Sequence, residues 1–167
     1  MVSGLAGHHY LNEGKRMIDN ITLWHRRARP EPTEKDFDVQ LGCHIEEFVE
    51  MMDSLSIYFD KIQVNKALDA LEDLANGLKA GTLTVSSVDR GELLDALADQ
   101  IVTAVGVGHC AKMDMNAAVQ EVNDSNWSKF NYKGFPEFDE NGKIKKGERY
   151  RKPNLKGMYL CFGKRNL

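Results

Sequence analysis

Residues 44–54, HIEEFVEMMDS, place three glutamates (Glu46, Glu47, Glu50) and Asp53 among Ile45, Phe48, Val49, Met51 and Met52, residues that a helix would bury. A second stretch, ELLDALADQIVTAVGVG at 92–108, repeats the theme. Glu92, Asp95 and Asp99 stand at i, i+3 and i+7, which is one stripe on a helix, among Leu93, Leu94, Leu97, Ile101, Val102 and Val105. On the first stretch Glu47 and Glu50 are an i, i+3 pair and Glu46 and Glu50 an i, i+4 pair. Like charges at such spacings repel by roughly 0.2–0.5 kcal/mol per pair on an exposed helix. A divalent cation reverses the sign of that interaction. An all-oxygen carboxylate set suits Mg²⁺ or Mn²⁺, whereas zinc prefers His and Cys. Magnesium also keeps waters and docks phosphates, so such a site can activate a water against a phosphate. Acidic runs are more often solvated faces, and Asp89 with Glu92 could be the two ends of a capping box. What favours chemistry is the combination: two acidic pairs on separate, otherwise apolar segments, neither of which contains a lysine.

The elements that must position these groups read as helices. Only Pro30, Pro32, Pro136 and Pro153 occur, and the long proline-free interval between Pro32 and Pro136 suits a helical core. The apolar spacing predicts helices at about 9–27, 34–59, 64–78 and 89–110, with a fifth opened by MDMN and ending near Lys129. Thr33 with Asp36 is a capping-box pattern for the second. Beyond Phe130 the texture turns to Gly, Lys and aromatics; DENG at 139–142 is a turn signal and GKIKKG a short hairpin arm. The expected fold is therefore all-α: about five helices in an oligomeric bundle, with a helical domain over 1–130 and a basic arm over 131–167 packed on it.

The 167 residues carry a net charge of −3, which makes no electrostatic claim on nucleic acid. The distribution is uneven: residues 140–167 hold nine Lys/Arg against two Glu, a net of +7, and the rest of the chain −10. Cys43, Cys110 and Cys161 are far apart and odd in number, which argues against a disulfide framework and for a reducing, cytoplasmic setting. The start has no basic region followed by an apolar run, and no apolar stretch approaches the ~20 residues a bilayer requires. Apolar residues on more than one side of the helices suggest that a second subunit covers one face.

EEFVE (Glu46, Glu47, Glu50) followed by ELLD (Glu92, Asp95) resembles the EExxE and ExxD pair of the MazG-like, all-α nucleoside triphosphate pyrophosphohydrolase superfamily. DALADQIVTAVGVGHCAKMDMNAAVQEVNDSNWSKF is similar to its phosphoribosyl-ATP pyrophosphohydrolase-like branch, with Glu121, Val122, Ser125, Asn126, Ser128 and Lys129 matching an EV..SN.SK segment. DENGKIKKGERYRKPNL resembles the GK..KG..Y..P.L ending of phage-encoded members, and the likeness covers roughly residues 36–156.

The resemblance implies Mg²⁺- or Mn²⁺-dependent hydrolysis of a (d)NTP between the α and β phosphates, to a (d)NMP and pyrophosphate, in nucleotide-pool control. A purine deoxynucleotide such as dGTP or dATP is the substrate it suggests. It implies a homodimer or homotetramer with sites near subunit interfaces. On that basis Glu47, Glu50, Glu92 and Asp95 are the expected metal ligands, and Asp99 a further ligand or a group that orients one. Glu46, about 100° around the helix from Glu47, is the candidate for positioning or deprotonating the attacking water. Asn126 and Lys129 are candidates for phosphate binding, although Lys129 also suits a helix C-terminus as a cation. Lys143, Lys146 and Tyr150 of the arm are expected over the triphosphate. Trp24, with His25, Arg26 and Arg27, is the candidate base pocket; a helical tryptophan also serves as a core residue. The alternatives are a phosphoribosyl-ATP pyrophosphohydrolase of histidine synthesis, and a non-catalytic helical assembly or regulatory protein whose acidic stripe binds a partner.

Overall fold

A computed structural model of the chain describes residues 5–55 and 61–159, with side chains described for 17–55 and 63–159. Five helices follow in order: α1 (Leu5–Ala28), α2 (Glu34–Asp53), α3 (Lys61–Ala80), α4 (Arg90–Cys110) and α5 (Met115–Trp127). Among the described residues there is no strand; two isolated antiparallel bridges, Phe138 with Ile144 and Met113 with Tyr159, are the only β pairing. Among the described residues no helix is long and apolar enough to cross a membrane.

The caps explain most of the boundaries. The Thr33 hydroxyl accepts from Asp36 N–H at 3.2 Å while the Asp36 carboxylate accepts from Thr33 N–H at 2.9 Å, a complete capping box at the head of α2. Asp89 accepts from the N–H groups of Gly91 and Glu92 and starts α4; Asp114 accepts from Ala117 N–H and starts α5. α2 is shorter than its apolar pattern predicts. It ends at Asp53, where Ser54 takes over as cap: its N–H and its hydroxyl both bond to the carbonyl of Met51, and the helix ladder stops. Residues 56–60 lie outside the described residues.

The chain forms two compact units that interleave along the sequence. One unit comprises residues 31–88 and 138–145. It is the antiparallel pair α2–α3 with the turn that carries Lys143. α2 buries Val39, Gly42 and Val49, and α3 answers with Ala75 and Leu78. At Ala75 the two helices approach closely, because Gly42 has no Cβ there: one would sit 2.7 Å from the Ala75 carbonyl oxygen. Buried Asp38 accepts from Val85 N–H at 3.1 Å and ties the segment after α3 back onto α2.

The other unit comprises residues 1–30, 89–137 and 146–167 as far as they are described. α5 packs on α1 and on α4. Its core is aromatic: Trp24 and Phe130 are buried and stacked at 5.9 Å, and Trp127 meets Phe130 edge-on at 5.3 Å. α4 contributes little to that core. Of its 21 residues only Gly108 is buried, while Leu94 is 70% exposed, Val102 67% and Val107 60%, with Ile101 and Val105 also in solvent.

Candidate active site

The three glutamates of α2 have different fates. Glu46 lies on the stripe with Gly42 and Val49, the side that packs on α3, and it is partly shielded. Its carboxylate is held by two lysines, Lys79 Nζ of α3 at 3.0 Å and Lys143 Nζ at 2.8 Å. Lys143 is aimed by a turn built on Asp139, as DENG predicts. The Asp139 carboxylate accepts from the N–H groups of Asn141 and Lys143, Asp139 N–H donates to the Lys143 carbonyl, and Gly142 takes the left-handed φ of +80° that the turn requires. Partial burial pushes the Glu46 carboxyl up, but the hydrogen bonds and charges of Lys143 and Lys79 outweigh it and hold the group below its ordinary value. Lys143 is raised in return, chiefly by its hydrogen bond to Glu46. A carboxylate so held is a weak base and a good orienting group. Of the two roles expected of Glu46, positioning is the one its surroundings favour.

Glu47 and Glu50 are both exposed, and among the described residues neither forms an ion pair, although the Glu47 charge adds to the raising of Lys143. On α4, Glu92, Asp95 and Asp99 are likewise exposed and without an ion pair among the described residues. Asp89 caps Gly91 and Glu92 N–H, but the reciprocal bond from the Glu92 carboxylate does not form, so the cap leaves that carboxylate unused. These oxygen-only pairs suit a hard divalent cation in donor chemistry. Among the described residues no three His, Cys, Asp or Glu side chains stand together as a metal-binding group; each pair stays a pair within its own unit.

The arm and α5 build a second feature, inside the unit that contains α1, α4 and α5. A cleft of about 450 Å³ is lined by Lys129, Asn131, Tyr132, Glu137, Lys146, Gly147, Glu148 and Arg149. It brings together Lys129 and Lys146, both expected to hold phosphates. Tyr150 stands beside it, with Lys146 Nζ 5.2 Å from its ring. Lys143 is not part of this set, because it belongs to the α2–α3 unit and pairs with Glu46. Asn126 is half-buried on α5 and does not line the cleft.

Trp24 is 7% exposed and stacked on Phe130, with His25 edge-on at 4.8 Å and Lys129 Nζ 5.9 Å from its ring. Its Nε1 is buried without a hydrogen-bond partner, as is Asn123 Nδ2. Burial first, and repulsion from Arg29 second, keep the His25 imidazole below its ordinary value. Trp24 is thus a member of the core in this structure, and its ring face is taken.

The EV..SN.SK segment has a role that its pattern did not disclose: it grips the arm. Glu121 accepts from the Arg151 guanidinium and from Asn154 N–H at 2.8 Å. Ser125 donates its hydroxyl to the Arg151 carbonyl at 2.8 Å, and the Ser128 hydroxyl accepts from Arg151 N–H at 2.9 Å. The hydrogen bond from Arg151, then that from Asn154, lowers the Glu121 carboxyl. The chain matches no protein-family model, no curated protein and no solved structure.

Proposed function

We propose that this protein is a metal-dependent nucleoside triphosphate pyrophosphohydrolase that converts a (d)NTP to a (d)NMP and pyrophosphate. The observation that carries the proposal is the cleft in which Lys129, Lys146 and Arg149 converge around about 450 Å³. That is ample room for a polyphosphate and a flat ring, and three cations are the groups a triphosphate needs. The exposed carboxylates Glu47, Glu50, Glu92 and Asp95 are the proposed donors for Mg²⁺ or Mn²⁺, with Asp99 orienting one of them. The ion supplies charge neutralisation at the phosphates and a more acidic bound water. The chain's own share is positioning: Lys129 and Lys146 hold phosphate oxygens, and Glu46, fixed between Lys79 and Lys143, orients the attacking water.

A second reading, a non-catalytic helical assembly, is favoured by α4, whose apolar residues lie largely in solvent. The enzyme also accommodates that face, as the contact of a homodimer or homotetramer. One assay separates the possibilities: hydrolysis of a dNTP and NTP panel, with phosphoribosyl-ATP included, with and without Mg²⁺ or Mn²⁺, and with products identified. Monophosphate plus pyrophosphate, dependent on the ion and lost in Glu47→Gln, supports the enzyme. Turnover confined to phosphoribosyl-ATP identifies the histidine-pathway alternative. No turnover of any nucleotide with either ion overturns the proposal.

A further inference from the structure

We infer that Tyr132 is the base-stacking platform of a nucleotide site in the arm cleft, an inference that rests on the nucleotide reading above. Tyr132 lines the cleft and is 80% exposed. A single exposed aromatic means nothing by itself, since much protein surface is apolar. This one differs in how firmly its backbone is held. Asn131 forms an Asx turn around it: its side-chain oxygen accepts from Lys133 N–H at 3.0 Å and Phe135 N–H at 3.1 Å. Asn131 N–H donates to the Phe135 carbonyl, and Gly134 N–H to the Asn131 carbonyl. Arg27 of α1 clamps the same loop, donating Nε to the Gly134 carbonyl at 3.0 Å and lying 4.8 Å from the Phe135 ring. Across the cleft wall, Arg149 donates to the Asn131 carbonyl at 3.3 Å and places its guanidinium 5.3 Å from the Tyr132 ring.

The result is a fixed loop that holds a large ring out in water, at the edge of a cation-lined hollow. Pre-organisation of that kind lowers the ordering entropy of binding and suits a flat, electron-poor ring. The ligand class follows from the neighbours. Lys129, Lys146 and Arg149 want an anionic tail. The carboxylates of Glu137 and Glu148, which repel such a tail, want donors such as the ring and exocyclic N–H groups of a base. A nucleoside polyphosphate carries both halves. Trp24 cannot take the stacking role in this structure, because Phe130 covers its ring.

The test uses the full chain and titrates two probes by calorimetry in the presence of Mg²⁺: a non-hydrolysable α,β-methylene deoxynucleoside triphosphate, and inorganic tripolyphosphate, which has no ring. Tyr132→Ala is expected to weaken the nucleotide by about five- to 150-fold, the span of one base–aromatic stack, and to leave tripolyphosphate unchanged. Tyr132→Phe is expected to restore nucleotide binding, while Lys146→Ala weakens both probes. Equal nucleotide affinity in Tyr132→Ala and wild type overturns the inference, as does equal loss of both probes or failure of the wild type to bind the nucleotide. Turnover separates the two proposals. If the wild type hydrolyses nucleotides but Tyr132→Ala binds them unchanged, the stacking role alone falls. If the wild type binds through Tyr132 but hydrolyses nothing, the enzymatic reading alone falls.

Discussion

Replacing Gly42 with alanine adds one methyl where α2 faces the α3 backbone at close range. That carbon would meet the Ala75 carbonyl oxygen at 2.7 Å, Lys79 Cγ at 2.9 Å and Leu78 Cβ at 3.3 Å. The Ala75 carbonyl is part of the α3 backbone and cannot swing aside, so the two helices must separate. Overpacking of this kind costs about 1–3 kcal/mol. The better helix propensity of alanine returns up to about 1 kcal/mol. The net loss expected is about 0–2 kcal/mol, or a fall in Tm of up to roughly 8 °C for a chain of this size. The same methyl displaces Lys79, one of the two cations on Glu46, so the clamp at the candidate site loosens with the core. Gly77→Ala is the control. Its Cβ meets Leu83 Cδ1 at 2.6 Å and Cγ at 2.8 Å, side-chain atoms of a half-exposed residue rather than helix backbone, so this variant is expected to lose less stability than Gly42→Ala. Thermal unfolding followed by circular dichroism decides. A Gly42→Ala protein as stable as the parent, beside a destabilised Gly77→Ala, would refute the close-approach reasoning.

Glu47→Gln is expected to remove nearly all turnover with folding intact, and to raise metal-free stability by less than about 0.5 kcal/mol through lost repulsion with Glu50; parallel kinetics and melting curves check both. The Glu46 clamp predicts a pH window. Because its folded-state value is lowered, its contribution is full above the ordinary glutamate value of about 4.3 and is lost as pH falls through the folded value. Raised Lys143 contributes below its ordinary value and stops doing so as pH rises through its folded value. The Tm gap between wild type and Lys143→Ala should therefore be flat near neutrality and close at both extremes. Glu121→Gln removes the charge and one of the two oxygens that Arg151 engages and should speed tryptic cleavage after Arg149 and Arg151, read by mass spectrometry. On the proposal that α4 is a subunit contact, Leu94→Lys with Val102→Lys should give a smaller, still helical species than the parent in light scattering, because both side chains stand in solvent in the single chain.

The order and rough placement of the five helices were legible because they rest on local signals: apolar residues at 3.6 spacing and, for α2, α4 and α5, a capping residue at the start. α2 was read to run on past Asp53, since Leu55 continues its apolar pattern; it ends there because the hydroxyl of Ser54 turns back on Met51. Glu46 shows what local reading cannot reach. Its partners lie 33 and 97 positions away, so the sequence displays a repulsive acidic cluster where the fold makes a neutralised carboxylate. Trp24 beside three basic residues looked like a ring offered to a base; its cover, Phe130, is supplied by a distant segment. Tyr132 was passed over although its signal was present. Asn131 and Gly134 bracket it as a turn, and a turn that presents an aromatic among cations is a recognisable pattern.

The acidic body and basic tail resolve into separate assignments once side chains are placed. Lys143 is spent on Glu46 and Arg151 on Glu121, each a structural tie between arm and helix. Lys129, Lys146 and Arg149 line the cleft. On the acidic side the same sorting applies. Glu46 and Glu121 are held by cations, whereas Glu47, Glu50, Glu92, Asp95 and Asp99 are exposed and form no ion pair among the described residues, although the Glu47 charge helps to raise Lys143. A group already neutralised gains little from a metal ion, and a group left in repulsion gains most. Within the acidic stretch of α2, the ion pairs therefore set Glu46, which is already neutralised, apart from Glu47 and Glu50, for which a cation would relieve repulsion.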